Sequence, residues 1–220
     1  MQNNNFMTIS QLCIKDGDLK CIPKGKRATR KVHFRQGDLD GACGVYSIAI
    51  CLSILGTFDP DNMLLDDLSN LDADEKSLIE ALNGFGLYRE GLSAREIVTI
   101  LNKNFGSRVK ATSSKSGSQE DLVKKIINNI EKDIPTMMHI EPPRAAYGHW
   151  VVCVGYQYNE ENVVSRLLCL DPGFEPPRLT LWNGMLDWDS RKKVHSYHNP
   201  ESSQGNKLIE IISIMPAPAK

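Results

Sequence analysis

At Pro135 the sequence changes character, and that break sets the fold class. Before it lie segments with helical periodicity. ACGVYSIAICLSILG (42–56) is a continuous apolar run of helical length that stops at Gly56, which predicts a buried helix. A second helix is expected within 60–70, after Pro60. DADEKSLIEALNGFG predicts a third over about 74–83, with acidic residues in its first turn and glycines after it. SAREIVTILNKNFG opens with Ser93 and Glu96 at capping-box spacing, and Ile97, Ile100 and Leu101 give it an apolar face. QEDLVKKIINNIEKDI is amphipathic, with Leu122, Ile126, Ile127 and Ile130 on one side. After Pro135 come TMMHIE (136–141), HWVVCVGYQY (149–158), VVSRLLCLD (163–171), RLTLW (178–182) and LIEIISIM (208–215). They are short, rich in β-branched and aromatic residues and bounded by Gly, Pro and Asn, so they read as strands. Helices first and an antiparallel sheet second make an α+β chain. Residues 1–34 read as irregular, with KGKRATRK (24–31) a solvated basic loop. ATSSKSGS (111–118) reads as a polar loop and PAPAK as a frayed tail.

The 220 residues are expected to form one domain over 1–220, with a helical part at about 36–132 and a sheet part at about 135–215. A chain of this length buries a core without disulfide or metal staples. Lys and Arg number 26 against 27 Asp and Glu, a net charge of -1, which gives no general pull toward nucleic acid or anionic lipid. No run of 18 apolar residues exists, so no membrane span is expected. MQNNNFMTIS lacks a basic head followed by an apolar stretch, so no signal peptide is expected and the chain is placed in the cytoplasm. None of the 6 cysteines forms a C-x-x-C pair, which argues against a zinc ribbon. Each is a small buried apolar residue or a reactive thiol.

Cys43 stands out among them. It follows the turn-rich GDLDGA at the expected start of the buried helix, where the positive end of the helix dipole favours a thiolate. Gln36, in the preceding loop, has an amide that can donate to an oxyanion beside the Cys43 N–H. A nucleophile needs a base, and His149 opens a strand after Gly148. Asp171 ends the next strand. In an antiparallel hairpin the start of the first strand lies beside the end of the second, so Asp171 is expected next to His149. Cys, His and Asp then satisfy the logic of nucleophile, base and orienter. Cys51, Cys153 and Cys169 are expected in the core, and Cys13 and Cys21 in an irregular region without partners. His139 is expected in the core, and His195 and His198 in a surface loop. Asp38 and Asp40 flank the nucleophile turn, where turn chemistry, repulsion of acidic substrates and coupling to the Cys–His pair all stay open. Trp150 shields the His–Asp pair or packs in the core. Trp182 and Trp188 line a groove or pack in the core.

QGDLDGACGVYS (36–47) resembles the Gln…Cys-Gly block of papain-like cysteine peptidases. GHWVVCVGY (148–156) resembles their His block and LDPG (170–173) their Asp-Pro block. In flavour the set is similar to the bacterial peptidase domains that process leader peptides in bacteriocin-type exporters. The resemblance implies a papain-like fold, with Gln36 in the oxyanion hole, Cys43 as nucleophile, His149 as general base and Asp171 as its orienter. It implies a cysteine peptidase acting on a peptide or protein, with no metal or organic cofactor, no nucleic acid and no membrane partner. Six residues separate Gln36 from Cys43 where these families usually have five, which leaves open a bulged loop or an oxyanion role shared with a backbone N–H. The resemblance rests on these three blocks alone, and the helices at 60–132 add nothing to it. The same residues also serve acyl transfer or glutamine deamidation, and a peptide-binding module on a peptidase fold is the non-enzymatic alternative. Oligomeric state and substrate stay open.

Overall fold

A computed structural model describes residues 5–37, 41–64, 67–83, 91–144 and 147–218. The chain begins with four short strands, β1 (Phe6–Thr8), β2 (Leu12–Lys15), β3 (Asp18–Cys21) and β4 (Arg30–Lys31). Helix α1 (Cys43–Leu55), a 3-10 turn (Pro60–Leu64), α2 (Ala73–Asn83) and α3 (Ala94–Asn104) follow. Then come β5 (Val109–Ser114), α4 (Gln119–Ile130), β6 (Thr136–Glu141), β7 (His149–Tyr158) and β8 (Val164–Leu170). The last elements are β9 (Gly184–Asp187), β10 (His195–His198) and β11 (Ser203–Pro216). The fold is mixed helix and strand.

The main sheet closes on itself. Strands run in the order β7, β6, β11, β10, β9, β8, and β8 pairs with β7 again, a barrel of 6 strands. All these pairings are antiparallel. Two strands extend the ring. β1 continues the β7 edge where β6 ends, pairing Met7 with Tyr156. β5 continues the edge of β11 beyond β10, pairing Ile211 with Ser114.

Helix α1 is the central helix of the core. Ile48, Ile50, Cys51, Leu52 and Ile54 are fully buried around its whole circumference, as expected of a helix inside the core. It packs on β7, whose residues Trp150–Tyr156 are all buried, the near-continuous apolar run of a strand covered on both faces. Ser47 fixes the alignment: its hydroxyl donates to the Trp150 carbonyl at 3.2 Å. The first turn of α1 is therefore held against the first residues of β7. The helix ends at Gly56, left-handed at φ 69°, whose N–H reaches the Ser53 carbonyl.

Several expectations need correction. RLTLW (178–182) is not a strand; Leu179 is 95% exposed, and β9 begins only at Gly184. Pro176 and Pro177 remove two ladder donors just before it, and the Asn183 N–H instead reaches the Cys169 carbonyl at 3.0 Å. The surface loop expected at His195 and His198 is strand β10. His195 is 2% exposed and Tyr197 1%, so the alternating inward positions are a histidine and a tyrosine rather than aliphatic residues. The segment expected to be irregular up to residue 34 holds three strands between Phe6 and Cys21 and a fourth at Arg30–Lys31. Asp16 and Gly17, at φ 57° and 77°, turn β2 into β3, and buried Cys21 donates its S–H to the Ser53 carbonyl at 3.4 Å. The polar loop at 111–118 begins as β5, where Val109 and Ala111 point inward and polar residues outward. The helix expected over 60–70 is a 3-10 turn in its described part. The tail is anchored as far as Ala217, whose N–H donates to the Arg108 carbonyl at 2.8 Å. Asp38 and Asp40 lie outside the described residues. Among the described residues, no helix is long and apolar enough to cross a membrane.

Candidate active site

Cys43 is the first residue of α1. The N-cap, Ala42, offers no capping side chain, so the positive end of the helix is not spent on one. Cys43 Sγ is close enough to the His149 ring and to the N–H groups of Trp150 and Gly44 for all three to favour its thiolate, and its S–H points at the Gly41 carbonyl at 4.0 Å. Gly44 is required to be small: a Cβ there would lie 3.1 Å from Leu92 Cβ and 3.5 Å from Trp150.

His149 begins β7 and is partly exposed. Its Nε2 meets Asp171 Oδ1 at 2.7 Å, which leaves Nδ1 for the sulfur. Asp171 directly follows β8. The β7–β8 register pairs Val152 with Leu170 and contains an irregularity between Cys153 and Gly155. The Asp171 carboxylate is buried and fully engaged. Oδ1 also accepts from the Gly173 N–H at 2.8 Å, and Oδ2 from the Tyr197 hydroxyl at 2.7 Å.

Charge follows geometry. Burial alone would push the Cys43 thiol up, but the hydrogen bond and charge of His149 and the two N–H groups bring it below its ordinary value. Burial would push His149 down, but the Asp171 carboxylate and the Cys43 sulfur carry it up to about 10. Burial would raise Asp171, but His149, Tyr197 and Gly173 hold it below the usual carboxylate range. The other cysteines move the opposite way. Burial lifts Cys21 to about 11 and raises Cys51 and Cys169 as well. The core positions expected for Cys51, Cys153 and Cys169 are their observed ones.

Gln36 joins the same place from the N-terminal segment. Its N–H donates to the Pro172 carbonyl at 2.8 Å, one residue beyond Asp171. Its Oε1 is buried and has no hydrogen-bond partner among the described residues. Cys43, His149 and Asp171 are thus linked in a chain, with Gln36 tied to the Asp-Pro turn beneath them. Trp150 packs in the core, 2% exposed, with its indole N–H on the Leu92 carbonyl at 2.8 Å and its ring stacked on His139. Trp188 stacks on His195 and Trp182 packs edge-on against Phe6.

Three neighbours of Asp171 carry no local signal in the sequence. Asn183 brackets its backbone, accepting from the Asp171 N–H at 2.7 Å and donating to its carbonyl at 3.0 Å. His33 Nε2 donates to the same carbonyl at 2.9 Å. Tyr197 reaches the carboxylate. Asn183 reads as turn chemistry in WNG, and Tyr197 stands in a polar HSYH run. Among the described residues, no group of three His, Cys, Asp or Glu is placed to hold a metal ion.

The model of the Peptidase_C39 like family matches residues 29–179. Among solved structures, the crystal structure of UfSP from C. elegans is similar, with a TM-score of 0.45 and 14% identity. That alignment covers 100% of this chain and 35% of the other. No curated protein matches the sequence. The family match runs over most of the chain and takes in Gln36, Cys43, His149 and Asp171, so the chain belongs to the Peptidase_C39 like family.

Proposed function

We propose that this protein is a thiol hydrolase that cleaves a peptide or isopeptide bond through Cys43, His149 and Asp171, with Gln36 in the oxyanion hole. One observation carries this: the sulfur at the first residue of α1 lies beside an imidazole whose Nε2 is held at 2.7 Å by a buried carboxylate. In the resting site the thiol proton sits on His149, as a thiolate–imidazolium pair. The thiolate attacks the substrate carbonyl carbon, and the C=O π electrons move to oxygen. The Gln36 amide and the Cys43 N–H are the donors for that oxyanion. The tetrahedral intermediate collapses, the C–N bond breaks, and His149 gives its proton to the departing amine. Water, deprotonated by His149, then attacks the thioester and releases the acid and the thiolate. Asp171 keeps the imidazole oriented throughout.

Peptide mixtures incubated with the protein and read by mass spectrometry test this. Wild type should yield cleaved products, and Cys43→Ala and His149→Ala should each lose at least about 10³-fold of that rate. Cleavage that survives Cys43→Ala, or products carrying only a transferred acyl group or a deamidated glutamine, would displace the hydrolase reading.

A further inference from the structure

We infer that Tyr197 is a positioning residue for the Asp171–His149 pair: its hydroxyl holds the second carboxylate oxygen of Asp171 so that the first stays on the imidazole, a role resting on the reading of His149 as the base of a thiol hydrolase. The carboxylate lies in a site 1% exposed, where each oxygen must find its donors inside the protein. Oδ1 has two, His149 and the Gly173 N–H. Oδ2 has the Tyr197 hydroxyl, and among the described residues no other donor reaches it.

The placement is built, not incidental. Tyr197 lies on β10, opposite Leu186 of β9 and Gln204 of β11, with its ring in the core. Phenylalanine would fill the same space without the cost of burying a hydroxyl. Gly184 opens the room for that hydroxyl, since a Cβ there would lie 2.3 Å from the tyrosine oxygen. Burial and the adjacent carboxylate keep the Tyr197 phenol far above its ordinary pKa, so it donates throughout the working range. The titratable groups around Asp171 are His149 from β7, Cys43 from α1 through His149, Cys169 from β8, His33 from the N-terminal segment and Tyr197 from β10. Only His149 and Tyr197 touch the carboxylate. His33 meets the backbone carbonyl instead.

Removing the hydroxyl leaves a buried carboxylate oxygen bare, which favours the protonated carboxyl. A neutral Asp171 withdraws the counter-charge from the imidazolium. The loss therefore appears at the acid end of the thiolate window. The experiment is the pH dependence of Cys43 alkylation by iodoacetamide, in wild type and Tyr197→Phe, with thermal unfolding run beside it. The acid limb should move up by about one pH unit in Tyr197→Phe, and the rate at mildly acidic pH should fall about tenfold. Superimposable limbs would overturn the proposal. Nitrogen NMR of His149 in Cys43→Ser reads the pair without the thiol and separates this inference from the hydrolase reading. A His149 titration shifted by Tyr197→Phe supports it even if wild-type Cys43 proves unreactive, and an unshifted titration overturns it. Should Tyr197→Phe not fold, a ring-fluorinated tyrosine at 197 donates more strongly and should move the acid limb down. No movement there would equally overturn it.

Discussion

At the residue scale the site is a chain of three residues whose protonation is shared. Asp171 makes His149 basic, and His149 makes Cys43 acidic. The imidazolium persists up to about pH 10, and the thiolate exists from below the usual thiol range upward. Between these limits both charges are present, so the rate of peptide cleavage, which needs the thiolate and the proton on His149, should follow a bell with its basic limb near pH 10. Asp171→Asn removes the counter-charge, and that limb should fall toward the ordinary imidazole value of about 6.5 in the same titration. A limb that stays put would show that Asp171 does not govern the ring. Stability follows the same signs. The His149 contribution is complete below its unfolded pKa and is lost as pH rises through about 10, whereas that of Asp171 is lost as pH falls. The clustering of Cys43, His149, Asp171 and Gln36 was legible because each sits in a local block, a Gly turn before a helix or a strand end beside Pro. Tyr197 and His33 were not, because their partner is 26 and 138 residues away and neither carries a turn or cap signal.

At the element scale, apolar period and end signals placed α1, α2 and α3 to within a residue or two, whereas α4 starts at Gln119 as expected but stops at Ile130, four residues before the end of QEDLVKKIINNIEKDI. The box at α3 is real: the Ser93 hydroxyl accepts from the Glu96 N–H, and the Glu96 carboxylate accepts from the Ser93 N–H. Ser93→Ala should lower stability by about 1 kcal/mol in chemical denaturation, and no change would mean that water replaces the cap. Gly56 is the stricter terminus. A Cβ there would lie 2.4 Å from Pro23 Cβ at a left-handed φ of 69°. Gly56→Ala should therefore cost more than the cap, about 2 kcal/mol, read as a lower midpoint with an unchanged denaturant slope. Strand boundaries were harder to place. The Asp16–Gly17 turn was a hairpin signal inside a segment otherwise dominated by polar residues. β5 and β10 carry only two inward positions each, too few for an alternating pattern to stand out.

At the scale of the whole molecule, the closed ring makes the site rigid. β7 has β8 along one edge and β6 followed by β1 along the other, and α1 lies on its face. That closure was not legible, since it depends on β11 pairing with β6, Leu208 opposite Ile140, across a long stretch of chain. Amides of Val151–Val154 should exchange with solvent only through global unfolding, while α2 opens earlier; the reverse order in native-state hydrogen exchange would place the stable centre elsewhere. What the rigid frame delivers is a sulfur on a helix mouth facing an imidazole on a strand mouth, and one rate reports it. Cys43 alkylation by iodoacetamide at about pH 6 should exceed that of a free thiol by at least about tenfold, and His149→Ala should abolish the excess. Alkylation no faster than a free thiol, or an excess that survives the loss of the imidazole, would contradict the thiolate–imidazolium pair.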